Sequence, residues 1–261
     1  MTFSKSRLVL IKIGGSSITN KQIPYSLKRK ALKRFAKEIA KSKKTNLLIS
    51  HGAGSFAHTS ASKYGGKKGY VSKIGVAKVF ADAAKINSIV TEALIEEGVP
   101  AISLRPRGFI LAKSGKVSIV FIDAIYESLK QGLVPVICGD VILDTKWKTT
   151  IFSGEKSLGI LALNLSKKGY KISKIIEVGE TEGFIDSKGK TVPQINKQNW
   201  TEIKKNLRKI NGFDVTGGMG HKIEEALILS RKNIETYLVG NKPRALQSAI
   251  IGEPLGGTVI K

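Results

Sequence analysis

The chain has 261 residues, with 44 basic against 20 acidic side chains for a formal charge of +24, and 41% of its residues are hydrophobic. Such a length and apolar content suit one large or two modest domains around a core and exclude a disordered chain. The single cysteine, Cys138, excludes an intrachain disulfide framework and a cysteine-based zinc site, and predicts a reducing, cytoplasmic setting. The longest apolar runs, residues 8–13 and 133–138, fall well short of the roughly 18–20 residues needed to cross a bilayer. No signal-peptide pattern follows residues 1–7, so neither a membrane nor a secretory route is expected.

In chain order, residues 8–13 form a β-like run that ends in Gly14-Gly15. Residues 26–42 place Leu27, Ala31, Leu32, Phe35, Ile39 and Ala40 at helical spacing. A second short strand over 46–50 ends in His51-Gly52-Ala53-Gly54. A long amphipathic helix over 74–97 carries Val79, Ala83, Ile86, Val90 and Leu94 on one face and closes at Gly98 and Pro100. Strands follow at 100–104, 117–122 and 134–138, with a helix at 123–131 between the last two. The second half continues with a helix at 157–167, a strand at 172–178, a turn or hairpin at 183–192 and helices at 199–206 and 219–231. A strand at 235–239, a helix at 243–250 and a closing strand at 257–260 complete the pattern. Repeated strand–helix–strand order predicts an α/β fold, a three-layer α/β/α sandwich with a mainly parallel central sheet. No linker divides it, so residues 1–165 and 166–261 are expected to be two lobes of one continuous sheet.

The charge invites a nucleic-acid reading. Only eight of the 44 basic residues are arginine, the side chain best suited to bidentate phosphate and base contacts. The lysines are spread along helical stretches, which is the pattern of a solvated surface. A nucleic-acid partner is therefore not expected.

Three glycine loops carry the chemistry. Lys12-Ile13-Gly14-Gly15-Ser16 puts a cation at the end of an otherwise apolar strand, where an ammonium is costly unless it meets an anion. The two glycines let a ligand approach the backbone closely. His51-Gly52-Ala53-Gly54-Ser55-Phe56-Ala57-His58 follows the second strand as a loop of small residues able to wrap an anion. Asp214-Val215-Thr216-Gly217-Gly218-Met219-Gly220-His221-Lys222 leads into a helix, whose N-terminus favours negative charge. All three histidines, His51, His58 and His221, fall in these loops, which predicts a ligand role for at least one of them. The Walker A, protein-kinase, nucleophile-elbow and dinucleotide fingerprints are absent, so the loops point to phosphoryl chemistry outside those classes.

The Lys12-x-Gly14-Gly15-Ser16 start, the second glycine loop and Thr216-Gly217-Gly218-Met219-x-x-Lys222 together resemble the amino acid kinase superfamily. Within it, Gly52-Ala53-Gly54-Ser55-Phe56-Ala57-His58 is similar to the Gly-Gly-Gly-Ser-Phe-Gly-His of the isopentenyl phosphate kinase family. Gly139-Asp140-Val141, Val239-Gly240-Asn241 and the segment from Gly257 to Ile260 extend the likeness over nearly the whole chain. The resemblance implies ATP-dependent phosphorylation of isopentenyl phosphate to the diphosphate, with ATP and Mg2+ as cofactors and a homodimer as the assembly. By the same resemblance, Lys12, Lys21 and Lys222 serve the transferring and donor phosphates, and His58 binds the acceptor phosphate. Gly14, Gly15, Ser16, Gly54, Glu180, Gly183 and Gly218 join Lys12 and Lys222 on the ATP side. Gly52, Ala53 and Gly154 join His58 on the acceptor side, Glu155 orients the lysines, and no residue is assigned to a metal.

The family's Ser-Gly-Asp-Asp is Ser153-Gly154-Glu155-Lys156 here, and its Asp-x-Asp-Gly-Val is Glu180-Thr181-Glu182-Gly183-Phe184. The prenyl tail is expected against the helix at residues 74–86. Two other readings stay open at this point: a kinase for another small phosphate or a phosphonate such as fosfomycin, and a non-catalytic phosphate- or nucleic-acid-binding protein of the same fold.

Overall fold

The computed structural model describes residues 7–20, 22–208, 219–253 and 256–261. The chain begins β1 (Arg7–Ile13), α1 (Gly15–Ile18), α2 (Arg29–Lys41), β2 (Leu47–His51), α3 (Gly54–Tyr64) and α4 (Lys73–Glu96). It continues β3 (Ala101–Ser103), β4 (Ile110–Lys113), β5 (Lys116–Val120), α5 (Asp123–Lys130), β6 (Val134–Cys138), β7 (Asp140–Asp144), β8 (Lys148–Phe152) and α6 (Gly154–Lys167). The remainder is β9 (Lys171–Gly179), β10 (Gln194–Ile195), α7 (Lys197–Arg208), α8 (Met219–Ser230), β11 (Thr236–Gly240), α9 (Ala245–Ile251) and β12 (Thr258–Ile260).

Eight strands form the central sheet in the order β10-β12-β11-β9-β1-β2-β6-β3. All neighbouring pairs are parallel except β11 with β12. The period of two along β1 divides the core between the two faces. Val9, Ile11 and Ile13 pack with Leu32, Phe35 and Ile39 of α2, Ile86 and Val90 of α4 and Leu246 of α9. Leu8 and Leu10 pack on the other face with Ile125 and Leu129 of α5, Leu158, Leu161 and Leu165 of α6 and Leu229 of α8. Helices thus cover both faces, and the three-layer sandwich with a mainly parallel sheet is present. Among the described residues no helix is long and apolar enough to cross a membrane.

Three expectations need correction. The strand expected at 117–122 is β5, and it belongs to a separate four-stranded sheet of order β5-β4-β7-β8, in which β4 and β7 are the parallel pair. The loop expected from Gly52 to His58 becomes helix α3 from Gly54 onward. The helix expected at 157–167 starts earlier, at Gly154, because the Ser153 hydroxyl caps it by accepting the Lys156 N–H at 3.1 Å. The hairpin at 183–192 is there, with Ile185 and Thr191 bridging antiparallel.

Chain direction across the sheet reverses at β1. From β1 the chain steps to β2 and then to the β6–β3 edge, and after α6 it returns to β9 on the opposite side of β1. In open parallel sheets the crevice beyond the carboxyl ends of the strands at such a reversal is where ligands bind.

Candidate active site

Beyond the carboxyl ends of β1, β2, β6 and β9 lies a cleft of about 470 Å³, within the range of about 300–1,000 Å³ common for small-molecule sites. Its floor comes from the alternation of β1. Lys12 shares the face of Leu8 and Leu10, so its side chain points toward α6 and α8, and it is only 4% exposed. Burying that ammonium is tolerated because Glu155, on the first turn of α6, forms an ion pair with it. Lys222 of α8 reaches the same Glu155 Oε1 from the other side, Nζ to Oε1 3.1 Å. Burial alone would raise the Glu155 carboxyl, but Lys12 and Lys222 outweigh it and hold it down at about 2. Burial works against the Lys222 ammonium, and the Glu155 charge beside it leaves it raised above the ordinary lysine value.

The glycine loops are packed backbone against backbone. A Cβ on Gly52 would lie 2.7 Å from the Gly15 nitrogen and 2.8 Å from its Cα. Gly54 has φ +52°, and a Cβ there would meet Thr19 Oγ1 at 2.1 Å. That hydroxyl accepts the Ser55 N–H at 3.0 Å and donates to the Gly15 carbonyl at 2.8 Å, which locks the two loops together. The starts of α1, α3, α6 and α8 all line the cleft. Helix starts carry N–H groups with no carbonyl partner inside the helix and a partial positive charge, so the cleft is built for an anion.

Its other wall is apolar. Ala57 and Ala61 of α3, Val141 of β7 and Ile151 and Phe152 of β8 line it. The helix expected to do so, α4, stands one layer behind: Val76 and Val79 pack on Val141, while Ile74 is 80% exposed. The expected lining residues are therefore supplied by α3 and the β7–β8 hairpin instead.

Of the sequence-predicted site residues, Lys12, Gly14, Gly15, Ser16, Gly52, Ala53, Gly54, His58, Gly154, Glu155, Glu180 and Lys222 line this one cleft. His58 is exposed on α3 at the rim. Gly183 is not in the lining; with φ +85° it lies against Gly257 and Thr258, where a Cβ would come within 2.5 Å of the Thr258 hydroxyl. Lys21 and Gly218 lie outside the described residues. The other two histidines stand apart from it. His51 is the last residue of β2, fully buried, with Nε2 2.9 Å from Asn87 Oδ1, and burial lowers its basicity. His221 is exposed beside Glu225 at 3.2 Å.

The comparisons with known proteins agree with this architecture. Residues 7–240 match the sequence model of the amino acid kinase family. The isopentenyl phosphate kinase of Methanothermobacter thermautotrophicus is 32% identical, covering 97% of this chain and 98% of that one. The isopentenyl phosphate kinase of Methanocaldococcus jannaschii is 34% identical over 95% and 97%. A solved isopentenyl phosphate kinase structure superposes with TM-score 0.82 at 30% identity, covering 97% of this chain and all of the other. The chain belongs to the amino acid kinase family, among its isopentenyl phosphate kinases.

Within that family frame, the charge reversal at position 156 loses most of its force. Lys156 turns away from the cleft, donating to the Gly115 carbonyl at 3.0 Å with its ammonium 3.9 Å from the centre of the Phe152 ring. Three further side chains at or beneath the cleft escaped the sequence reading. Lys28 donates to the Ser16 carbonyl at 2.7 Å and lies 3.8 Å from Glu180, so it ties the first loop to the rim. Asp140, 3% exposed in the cleft lining, accepts Arg107 Nη1 on both oxygens at 2.7 and 2.8 Å, and burial raises its carboxyl to about 6 despite that arginine. Glu177 sits across from Lys12 on β9. The only sequence signal for any of them was the match at Gly139-Asp140-Val141.

Proposed function

We propose that the chain transfers the γ-phosphoryl group of ATP to the phosphate of isopentenyl phosphate. The observation that carries this reading is the union, in one cleft, of an ion cluster of buried Lys12 with half-buried Glu155 and Lys222 and an apolar wall beside it. A phosphorylated hydrocarbon needs both: cations for its head and a dry surface for its tail.

The reaction forms a bond between an acceptor phosphate oxygen and the γ-phosphorus while the bond to the β-phosphate oxygen breaks and ADP leaves. A phosphate nucleophile is already anionic near neutrality and needs no general base, so alignment and charge stabilisation dominate. Lys12, fixed on the floor by Glu155, stabilises the charge spread over the transferring group. Lys222 does the same from the donor side, where Gly179, Glu180 and Thr181 line the cleft. His58, beside Ala57 and Ala61, holds the acceptor phosphate in line. In this reading residues 1–165 bind the acceptor and residues 166–261 the nucleotide.

Of the three acids lining the cleft, Glu155 is held by two lysines and Asp140 by Arg107, while the exposed Glu180 lies 3.8 Å from Lys28. Among the described residues no group of three His, Cys, Asp or Glu could hold a metal. The residues therefore suit an Mg2+ carried on the nucleotide's own phosphates, where it would neutralise part of their charge. A homodimer belongs to the same proposal, supported by the edge strand β5, whose Ile119 and neighbouring Phe121 are 42% and 66% exposed. So does a cytoplasmic setting, supported by the single, buried cysteine.

Incubation with ATP, Mg2+ and isopentenyl phosphate tests the reading, with ADP release and diphosphate formation expected. Turnover with a phosphonate but not with isopentenyl phosphate would replace it by a phosphonate kinase.

A further inference from the structure

Glu177 has no part in the mechanism above, yet it lies at its base. In the β1–β9 register it is the direct partner of Lys12. It shares the sheet face of Ile175, which packs toward α6 and α8. Its Oε2 is buried and makes no hydrogen bond. Behind the Lys12–Glu155–Lys222 cluster is a cavity of about 120 Å³, lined by Glu155 and Lys156 of α6, Glu225 of α8, and Glu177 and Thr236 of the sheet.

The charges around Glu177 can be set out element by element. From β1 comes Lys12, and from α8 come Lys222 and Glu225, the latter 3.2 Å from His221. Glu155 faces it from α6, while Lys156 on the same helix directs its ammonium to Gly115. Thr236 of β11 is uncharged. A carboxylate oxygen without a donor is costly as an anion and far less so as an acid.

We propose that Glu177 is a positioning residue which, by holding or releasing a proton behind Lys12, sets how much positive charge Lys12 and Lys222 present to a bound phosphate. The proposal rests on the kinase reading. With Glu177 protonated, two ammonium groups face one carboxylate and a positive charge is left for the ligand. With Glu177 ionised, that surplus is cancelled from behind. Burial first, and the Glu155 charge next, raise the Glu177 carboxyl to about 7, so the change falls near neutral pH.

Proton binding and nucleotide binding are then reciprocally linked. If nucleotide raises the Glu177 pKa by about one unit, the ionised protein binds nucleotide about tenfold more weakly. The test is calorimetric titration with a non-hydrolysable ATP analogue and Mg2+ from pH 6 to pH 9, for the parent protein and for Glu177→Gln. Ionisation of the nucleotide is common to both and cancels in the ratio of dissociation constants. The parent-to-variant ratio is expected to be flat at the acid end and to rise about tenfold by pH 9. A purely structural role for Glu177 would move both curves without this pH dependence.

Glu225→Gln provides a second arm with Glu177 intact, useful if Glu177→Gln does not fold. Removing one anion that faces Glu177 lowers the pH at which binding weakens. A ratio independent of pH, or a Glu225→Gln curve displaced to higher pH, would overturn the proposal. Nucleotide binding by none of these proteins at any pH would overturn the kinase reading along with it, so the two failures are distinct.

Discussion

Replacing Glu155 by Gln removes the carboxylate that both Lys12 and Lys222 hold on the floor of the cleft. Its folded-state pKa is about 2 and its ordinary value is 4.5. A depression of that size corresponds to about 3 kcal/mol at 1.36 kcal/mol per unit. Breaking a buried ion pair by removing one partner costs about 3–5 kcal/mol in general, so the two routes agree in scale. The sign follows from the depressed pKa. The stabilisation is complete above the unfolded value of 4.5, falls to about 1 kcal/mol at pH 3 and vanishes as the pH drops through 2. Urea unfolding of the parent and Glu155→Gln at pH 7 and pH 3.5 measures this directly. The expected gap is about 3 kcal/mol at pH 7 and visibly smaller at pH 3.5. A gap below about 1 kcal/mol at pH 7, or one that widens on acidification, would refute the view that Glu155 is held as an anion between two lysines. Glu155→Asp, which keeps the charge at a shorter reach, should retain most of the stability and measurable turnover.

Gly52→Ala should unfold more easily by about 1–3 kcal/mol, because its Cβ would press on Gly15 backbone atoms that cannot rotate away; thermal melting checks this. His58→Ala should raise the KM for isopentenyl phosphate while the dissociation constant for ATP stays within about twofold, and unaltered kinetics would remove His58 from acceptor binding. Arg107→Met should destabilise by an amount that grows with pH above about 6, since the parent's Asp140 ionises there against Arg107, whereas without the arginine its carboxyl is raised further and must stay protonated or be buried as an unpaired charge. Denaturant melts at pH 5.5 and pH 8 compare the two states, and equal losses would contradict the ion pair's role.

Much of the fold was legible because it is written locally. The apolar run 8–13 and the helical spacing from Leu27 to Ala40 each depend on a few neighbouring residues, and β1 and α2 appear where that pattern puts them. The lone ammonium in the first strand was equally readable, since Lys12 breaks an apolar run. α3 was not: Ser, Thr and Ala fill most of Gly54–Tyr64, so it has no clear apolar stripe, and its leading glycines signal a loop. The β7–β8 hairpin was hidden because its residues belong to a second sheet whose partners, β4 and β5, lie about thirty residues earlier. Glu177 was invisible for a stronger reason. Its meaning comes from the Lys12–Glu177 register, and no local pattern in either strand announces which residues will stand side by side.

The position of β8 has a consequence for altering what the protein accepts. Ile151 and Phe152 form part of the hydrocarbon wall, Ser153 caps α6, and Glu155 two residues later grips both lysines. In the proposed reading, contact with the tail ends where contact with the head begins, along five consecutive residues that all line the cleft. The hairpin before Ser153 belongs to the small sheet, and the lysine cluster after it is anchored in the large one. A designer could reshape the hairpin to admit longer or shorter chains and leave the phosphate machinery unedited, provided the junction at Ser153 and Gly154 is kept.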